Sequence, residues 1–297
     1  MHIHANNFGM NEYRFQIVTK GSYEQAPVDK FVWRKSVFMV FLFWSFILPK
    51  PLYMSQKILV AAVAALALGA TAHAQTNLQT FYDFGRNRGH FTTTLEGFYN
   101  DDWGNTFFFI DYDYNAKNSA GTNQAPSGSY MEIARCLNFW QNSTLAPLSL
   151  HVEYNGLVGV NQNFLFGVDY FLHNADFSNT FNFKLLYKTF SNGASSNVPF
   201  QFTFVWGMQD LFGVQGLRFS GFADIWGENV VNFAEALPGF YTHRNFVFIS
   251  EPQLWYNIGQ HIGVPNLHIG TEVELSVNFA GYDGLYARPC LGTKWVF

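Results

Sequence analysis

The chain has 297 residues, of which 48% are hydrophobic and 19% aromatic but only 13% charged, about half the charged fraction of an ordinary soluble protein. Mean hydropathy is nonetheless near zero, at -0.01, because Asn, Gln, Ser, Thr and Gly dilute 34 Phe, 15 Tyr and 8 Trp throughout; that is not the composition of a bundle of membrane helices. The aromatic content excludes intrinsic disorder, a net charge of -4 disfavours nucleic acid as a partner, and 2 cysteines are too few for a disulfide scaffold or a Cys-rich metal site.

Residues 1–53 come first and include an apolar run over 37–48, behind Arg34 and Lys35, that ends at Pro49 and is too short to span a bilayer. Met54 then begins a second pattern. Lys57 supplies a short positive region, 58–70 an apolar core, and Ala72-His73-Ala74 a small-x-small cleavage site before Gln75. The expected organisation is an upstream extension from a misplaced start (1–53), a Sec-type signal peptide (54–74) and an exported domain (75–297). That domain has 10 basic and 18 acidic side chains, a net charge of -8.

From Gln75 onward the recurrent pattern is alternation with a period of two, the period of strands. In Phe200-Gln201-Phe202-Thr203-Phe204-Val205-Trp206-Gly207 one face is aromatic and the other polar or small, and 181–188 and 148–155 behave alike. Such segments, separated by Gly, Asn, Asp, Ser and Pro clusters, predict strands at 78–83, 91–99, 106–114, 129–139, 148–156 and 163–171. Six more are predicted at 180–190, 200–208, 217–226, 246–256, 268–279 and 286–297. Twelve is an even number, and most segments are long enough to cross a bilayer at a tilt.

A soluble barrel would hide its large apolar residues and wet its polar ones. Here the apolar face is dominated by Phe, Tyr, Trp and Leu and the other carries Glu, Asp, Lys, Asn and Thr. With an export signal, this predicts an all-β fold, a transmembrane antiparallel barrel in the bacterial outer membrane, closed so that every backbone group is paired. With a periplasmic N-terminus, the odd-numbered connections face outward and include the two longest, 115–128 and 227–245; even-numbered ones such as 100–105 and 141–147 are shorter. Phe297 ends the last alternating segment. A terminal aromatic there resembles the signal by which the barrel-assembly machinery recognises its clients.

Three stretches resemble the nucleoside-specific outer-membrane channel Tsx and its relatives, a Bacteroides-type branch among them. They are Thr94-Leu95-Glu96-Gly97-Phe98-Tyr99-Asn100-Asp101-Asp102-Trp103 running into Phe107-Phe108-Phe109-Ile110-Asp111-Tyr112-Asp113, then Tyr130-Met131-Glu132-Ile133, and Gly221-Phe222-Ala223-Asp224-Ile225-Trp226-Gly227. The resemblance implies a narrow monomeric twelve-stranded barrel and passive diffusion of nucleosides past aromatic and ionisable lumen side chains. Arg135 arrives one residue sooner than in that family, so its facing is left open.

Parity places Glu96 and Phe98 inward on the second strand and Phe107, Phe109, Asp111 and Asp113 inward on the third. A flat base can stack on an aromatic ring while sugar hydroxyls donate to carboxylates, so this wall suits a nucleoside; equally, a narrow barrel fills its interior with whatever packs. Glu132, His151, Glu153, Asp169, Glu272 and Glu274 also point inward, with Lys184, Lys188, Arg218, Arg288 and Lys294. Opposite charges should pair across strands. Phe222, Asp224 and Trp226 repeat the aromatic-plus-acid theme as a second candidate. Cys136 and Cys290 lie on strands that are not neighbours and are expected to be free thiols.

The expected function is a passive channel for small polar solutes, nucleosides first, with outer-membrane lipid around it. A plugged structural or adhesive barrel is the alternative. A lipid hydrolase would need a nucleophile paired with a base on the lipid face, whereas His151, the best strand histidine, faces inward; no enzyme is expected. No phosphate loop, metal-ligand spacing or nucleotide fingerprint occurs, so no cofactor is implied. Peptide mass spectrometry of the mature protein should begin at Gln75 and find nothing from residues 1–53; recovery of such peptides would refute the misplaced start.

Overall fold

The computed structural model describes residues 2–8, 12–18 and 74–297, except 87, 118–120, 127, 158–160, 192–193, 232–241 and 244. Residues 54–73 of the expected signal segment lie outside the described residues. His2–Phe8 and Glu12–Val18 form a two-stranded sheet of their own.

The rest of the described chain is a closed barrel of twelve antiparallel strands. In order they are β1 (Ala74–Asp83), β2 (His90–Asp101), β3 (Gly104–Asp113), β4 (Gly128–Leu137), β5 (Leu148–Leu157) and β6 (Asn161–His173). They continue as β7 (Asn179–Lys188), β8 (Phe200–Gln209), β9 (Leu217–Trp226), β10 in two pieces (Val247–Ser250 and Gln253–Tyr256), β11 (Leu267–Val277) and β12 (Leu285–Val296). Each strand pairs with the next, and β12 returns to β1 with Trp295 opposite Leu78 and Cys290 opposite Asp83. All twelve expected strands are present. Among the described residues no helix is long and apolar enough to cross a membrane.

The expectation of one continuous segment at 246–256 needs correction. Pro252 has no N–H to donate, so the ladder breaks at Glu251-Pro252 opposite Gly221-Phe222. The break is bridged locally: Glu251 N–H donates to the Phe222 carbonyl at 3.1 Å, and the Ser250 hydroxyl donates to the same oxygen at 2.7 Å. Gly221, at φ +153, gives the room, since a Cβ there would lie 2.4 Å from the Glu251 carbonyl oxygen.

Alternation sorts the side chains as expected. On β8, Phe200 and Phe202 are exposed while Gln201, Thr203 and Val205 between them are buried. The buried set of the whole barrel is therefore largely polar, including His151, Glu153, Lys184, Lys188, Arg218 and Arg288. Arg135 faces outward, where its Nη2 donates to Asp101 at 2.8 Å and its Nη1 to Thr106 at 3.1 Å. At one rim β2 and β3 are joined by Asp102-Trp103 alone; at the other lie the longer connections 114–127 and 227–246.

The main apolar patch inside the barrel joins Phe81, Trp255 and Cys290. It rests on two glycines. Gly270 and Gly292 are register partners, and each lies opposite one of the rings, Trp255 and Phe81 respectively. A Cβ on Gly270 would meet Trp255 Cε3 at 2.3 Å and the Leu254 carbonyl oxygen at 2.5 Å. Gly270→Val should therefore destabilise the barrel by about 1–3 kcal/mol through overpacking, seen as a lower urea midpoint and lower heat-modified mobility shift. A midpoint unchanged by this substitution would contradict the packing.

Candidate functional site: the barrel lumen

The wall made by β2, β3 and β4 carries the acid and aromatic residues expected from parity. Glu96 lies opposite Phe109, and Phe109 opposite Glu132; Asp111 lies between Thr94 and Tyr130. Phe98 and Phe107, 3% and 4% exposed, pack against Ala134 and against each other's strands. Phe109 lies over this cluster with its ring 5.9 Å from Phe107 and 5.6 Å from Tyr130. The half-buried pair Phe109 and Tyr130 is thus the aromatic surface that the wall presents, and Phe98 and Phe107 support it.

The acids of this wall are held by neighbours. Asn77 Nδ2 donates to Glu96 at 2.8 Å, the Thr94 hydroxyl to Asp111 at 2.5 Å and the Thr92 hydroxyl to Asp113 at 2.7 Å. His90 Nε2 lies 3.7 Å from the Asp113 carboxylate. These bonds fix carboxylate direction and leave each acid with further acceptor sites.

The second expected cluster is arranged differently. Trp226 is buried with Val247 and Ile249, and Phe222 packs on that group. Lys188 Nζ sits 3.7 Å from the Trp226 ring centroid and also donates to Gln201 Oε1 at 3.1 Å. The indole N–H donates to Glu228 at 2.6 Å. One face of Trp226 is thus covered by a cation. Burial pushes the Glu228 carboxyl, in the connection after β9, above the ordinary carboxylate range, with the indole N–H and the Lys188 ammonium opposing that rise. Asp224 Oδ1 is buried with no hydrogen-bond partner among the described residues.

On β12, Arg288 is 1% exposed and bound to Glu274, with its guanidinium 4.6 Å and 4.8 Å from the rings of Tyr282 and Tyr286. Arg88 Nη2 reaches the same Glu274 at 3.2 Å. Lys294 lies 4.7 Å over Trp255. The expected cross-strand pairing of opposite charges is met at Arg288–Glu274, whereas Lys188 and Lys294 lie over tryptophan rings instead.

Residues 74–297 match the family described as a domain of unknown function, DUF5020. The chain belongs to the DUF5020 family. No curated protein matches it. Among solved structures, the KdgM porin is similar at 8% identity and a TM-score of 0.43, over 75% of this chain and 99% of that one. The outer membrane channel DcaP of Acinetobacter baumannii is similar at 8% identity and TM-score 0.37, over 75% and 96%. The Acinetobacter baumannii outer membrane protein Omp33 is similar at 11% identity and TM-score 0.35, over 75% and 97%.

Among the lumen residues of this DUF5020 barrel that escape the sequence-based set are Glu251 and Tyr130. Glu251 shares the inward parity of Ile249 and Gln253, and its carboxylate interacts with Glu272, Glu274, Asp111 and Asp224; Pro252 beside it obscures the strand pattern. Tyr130 shares the parity of Glu132 and completes the Phe109 surface. Both cysteines are free and buried, as expected. Replacing Arg288 by Met should leave Glu274 short of its closest cation and lower stability by roughly 3–5 kcal/mol, measured by urea unfolding. An unchanged midpoint would show that Arg88 suffices.

Proposed function

We propose that the chain is a bacterial outer-membrane channel through which small polar solutes diffuse passively, with nucleosides the favoured class. The observation that carries this reading is the inversion of the usual globular pattern. Large apolar side chains such as Phe166, Phe183, Leu185, Phe202 and Leu291 are exposed on the outside, while acidic, basic or histidine side chains such as Asp83, His151, Asp169, Lys184, Arg218 and Arg288 are buried within. An apolar band around a polar interior is what a lipid bilayer and an aqueous path demand of one closed sheet. Export through the 54–74 signal and assembly through the terminal Phe297 belong to this reading.

For a nucleoside, Phe109 and Tyr130 offer the stacking surface, and Glu96, Asp111 and Glu132 lie beside it to accept sugar hydroxyls. Asp224 and Phe222 form a second station, with Trp226 engaged by Lys188. The resemblance of 94–113, 130–133 and 221–227 to Tsx supports the same solute class. The surplus of inward acids over inward bases favours cations and neutral solutes over anions. A second reading, a plugged structural barrel, draws on the paired charges Arg288–Glu274, Arg88–Glu274 and His151–Glu153.

Planar-bilayer conductance of the purified protein separates the two. The channel reading expects cation-selective steps, blocked by thymidine and adenosine but not by glucose. Phe109→Ala or Asp111→Asn should weaken that block about 10-fold, the worth of one good polar or stacking contact. A folded, heat-modifiable protein with no conductance would establish the plug instead, and conductance blocked equally by glucose would remove the nucleoside assignment.

A further inference from the structure

Three donors of different chemistry meet on the lumen wall where β4 ends and β5 begins. Cys136 on β4 is the register partner of His151 on β5, and Asp169 on β6 lies opposite Ser149, two residues from His151. All three face inward and are buried, at 5%, 1% and 4% exposure. Cys136 Sγ is 3.4 Å from His151 Nδ1 and 3.5 Å from Asp169 Oδ2. One donor atom from each residue lies within 4.8 Å of the other two.

These separations suit a shared ligand. Zinc bonds of about 2.3 Å to sulfur and about 2.0–2.1 Å to nitrogen or oxygen, at tetrahedral angles, hold sulfur about 3.5 Å from each partner. The donors are also oriented from behind. His151 Nε2 is 2.9 Å from Glu153 Oε2, and Asn155 Nδ2 donates to the other oxygen of Glu153 at 2.9 Å. In the neutral tautomer that gives its Nε2–H to Glu153, the imidazole turns an Nδ1 lone pair towards Cys136, the arrangement that supports metal-bound histidines. Asn182 Nδ2 holds Asp169 from outside the cluster at 2.9 and 3.1 Å.

In that tautomer a thiol alone has one proton for two acceptors, the nitrogen lone pair and the carboxylate oxygen that both approach its sulfur. A divalent cation satisfies all three at once. With Cys136 as thiolate, Asp169 and Glu153 add two further negative charges, and Lys184, paired in register with Asp169, supplies one positive charge. A dipositive ion brings that sum to zero.

We propose that Cys136, His151 and Asp169 form a binding site for a borderline-soft divalent cation, zinc(II) by preference. Its fourth position faces the lumen, and Glu153 and Asn182 orient the donors. Thiolate with imidazole selects zinc over magnesium or calcium, and coordination releases the Cys136 thiol proton to solvent.

The test uses protein expressed from the full chain, purified in detergent, stripped with a chelator and dialysed against zinc chloride. One zinc per chain is expected. Cys136→Ser and Asp169→Asn should each weaken binding at least 10-fold while the barrel stays heat-modifiable, and Glu153→Gln should weaken it by about 10-fold or more. Cobalt(II) in place of zinc should give a sulfur-to-metal charge-transfer band that Cys136→Ser abolishes. Zinc should also protect Cys136, but not Cys290, from alkylation read by peptide mass spectrometry; this needs no variant to fold. Failure to bind zinc, zinc bound equally by Cys136→Ser, or absence of both the charge-transfer band and the protection would overturn the site. Because none of these measurements reads conductance, they stand or fall apart from the channel assignment.

Discussion

Closure of the sheet governs the rest of this molecule. An open twelve-stranded sheet would expose the unpaired N–H and C=O groups of β1 and β12, and burying such groups in hydrocarbon would cost several kcal/mol each. The register from Asn77 opposite Val296 to Asp83 opposite Cys290 removes both edges. Once the ring is closed, the pleat leaves each strand residue only two destinations, outside or lumen. A one-residue slip anywhere would turn Phe202 inward and Thr203 outward, and the same inversion would pass to its neighbours through the ladder. The period-two pattern and the closed ladder therefore enforce one another, and Gly221 and Pro252 mark a place where a local break is absorbed without exchanging faces.

Inside the ring the constraint is electrostatic. Ionisable side chains on an enclosed wall need partners or water, and here partnership is met by reach across strands. Arg288 is clasped by Glu274 and flanked by two tyrosines; Lys188 and Lys294 lie over tryptophan rings. The aromatic residues inside thus have two uses. Trp226 and Trp255 neutralise the cost of confined cations, whereas Phe109 and Tyr130 lie on the acid-rich wall and belong to its surface. The two uses separate the candidate lumen residues by local charge, a distinction that residue type alone does not make.

Most of the architecture was legible in the sequence because a strand's facing is a matter of counting. Glu96, Asp111, Glu132, His151, Glu153, Lys184, Arg218 and Arg288 all lie on the faces that parity assigns, and the strand count survives the interruption of β10. What parity cannot carry is contact across strands. It put Trp226 and Asp224 in one cluster but could not show Lys188, 38 positions away by the residue numbers, resting on the indole. The facing of Arg135 was left open by its one-residue offset from the Tsx-like pattern, and its bonds to Thr106 on β3 and Asp101 on β2 show it outward. Glu251 stands inside the predicted 246–256 segment but was not counted as a lumen residue, because Pro252 interrupts the alternation that assigns a face.

The convergence of Cys136, His151 and Asp169 illustrates the same limit from the other direction. Sequence motifs for metal ions depend on short spacings because a helix or a tight turn brings nearby residues together. In a barrel the lumen is shared by all strands, and the short distance is the one across the ladder: Cys136 and His151 are direct register partners although a whole connection intervenes. Donors so assembled have no characteristic spacing, since connection lengths at the rims can change without moving the paired residues. Their placement is nevertheless tightly determined. The backbone ladder fixes where each Cβ stands, Glu153 fixes the imidazole and Asn182 the carboxylate, so the cluster inherits its geometry from the same closure that seals the barrel.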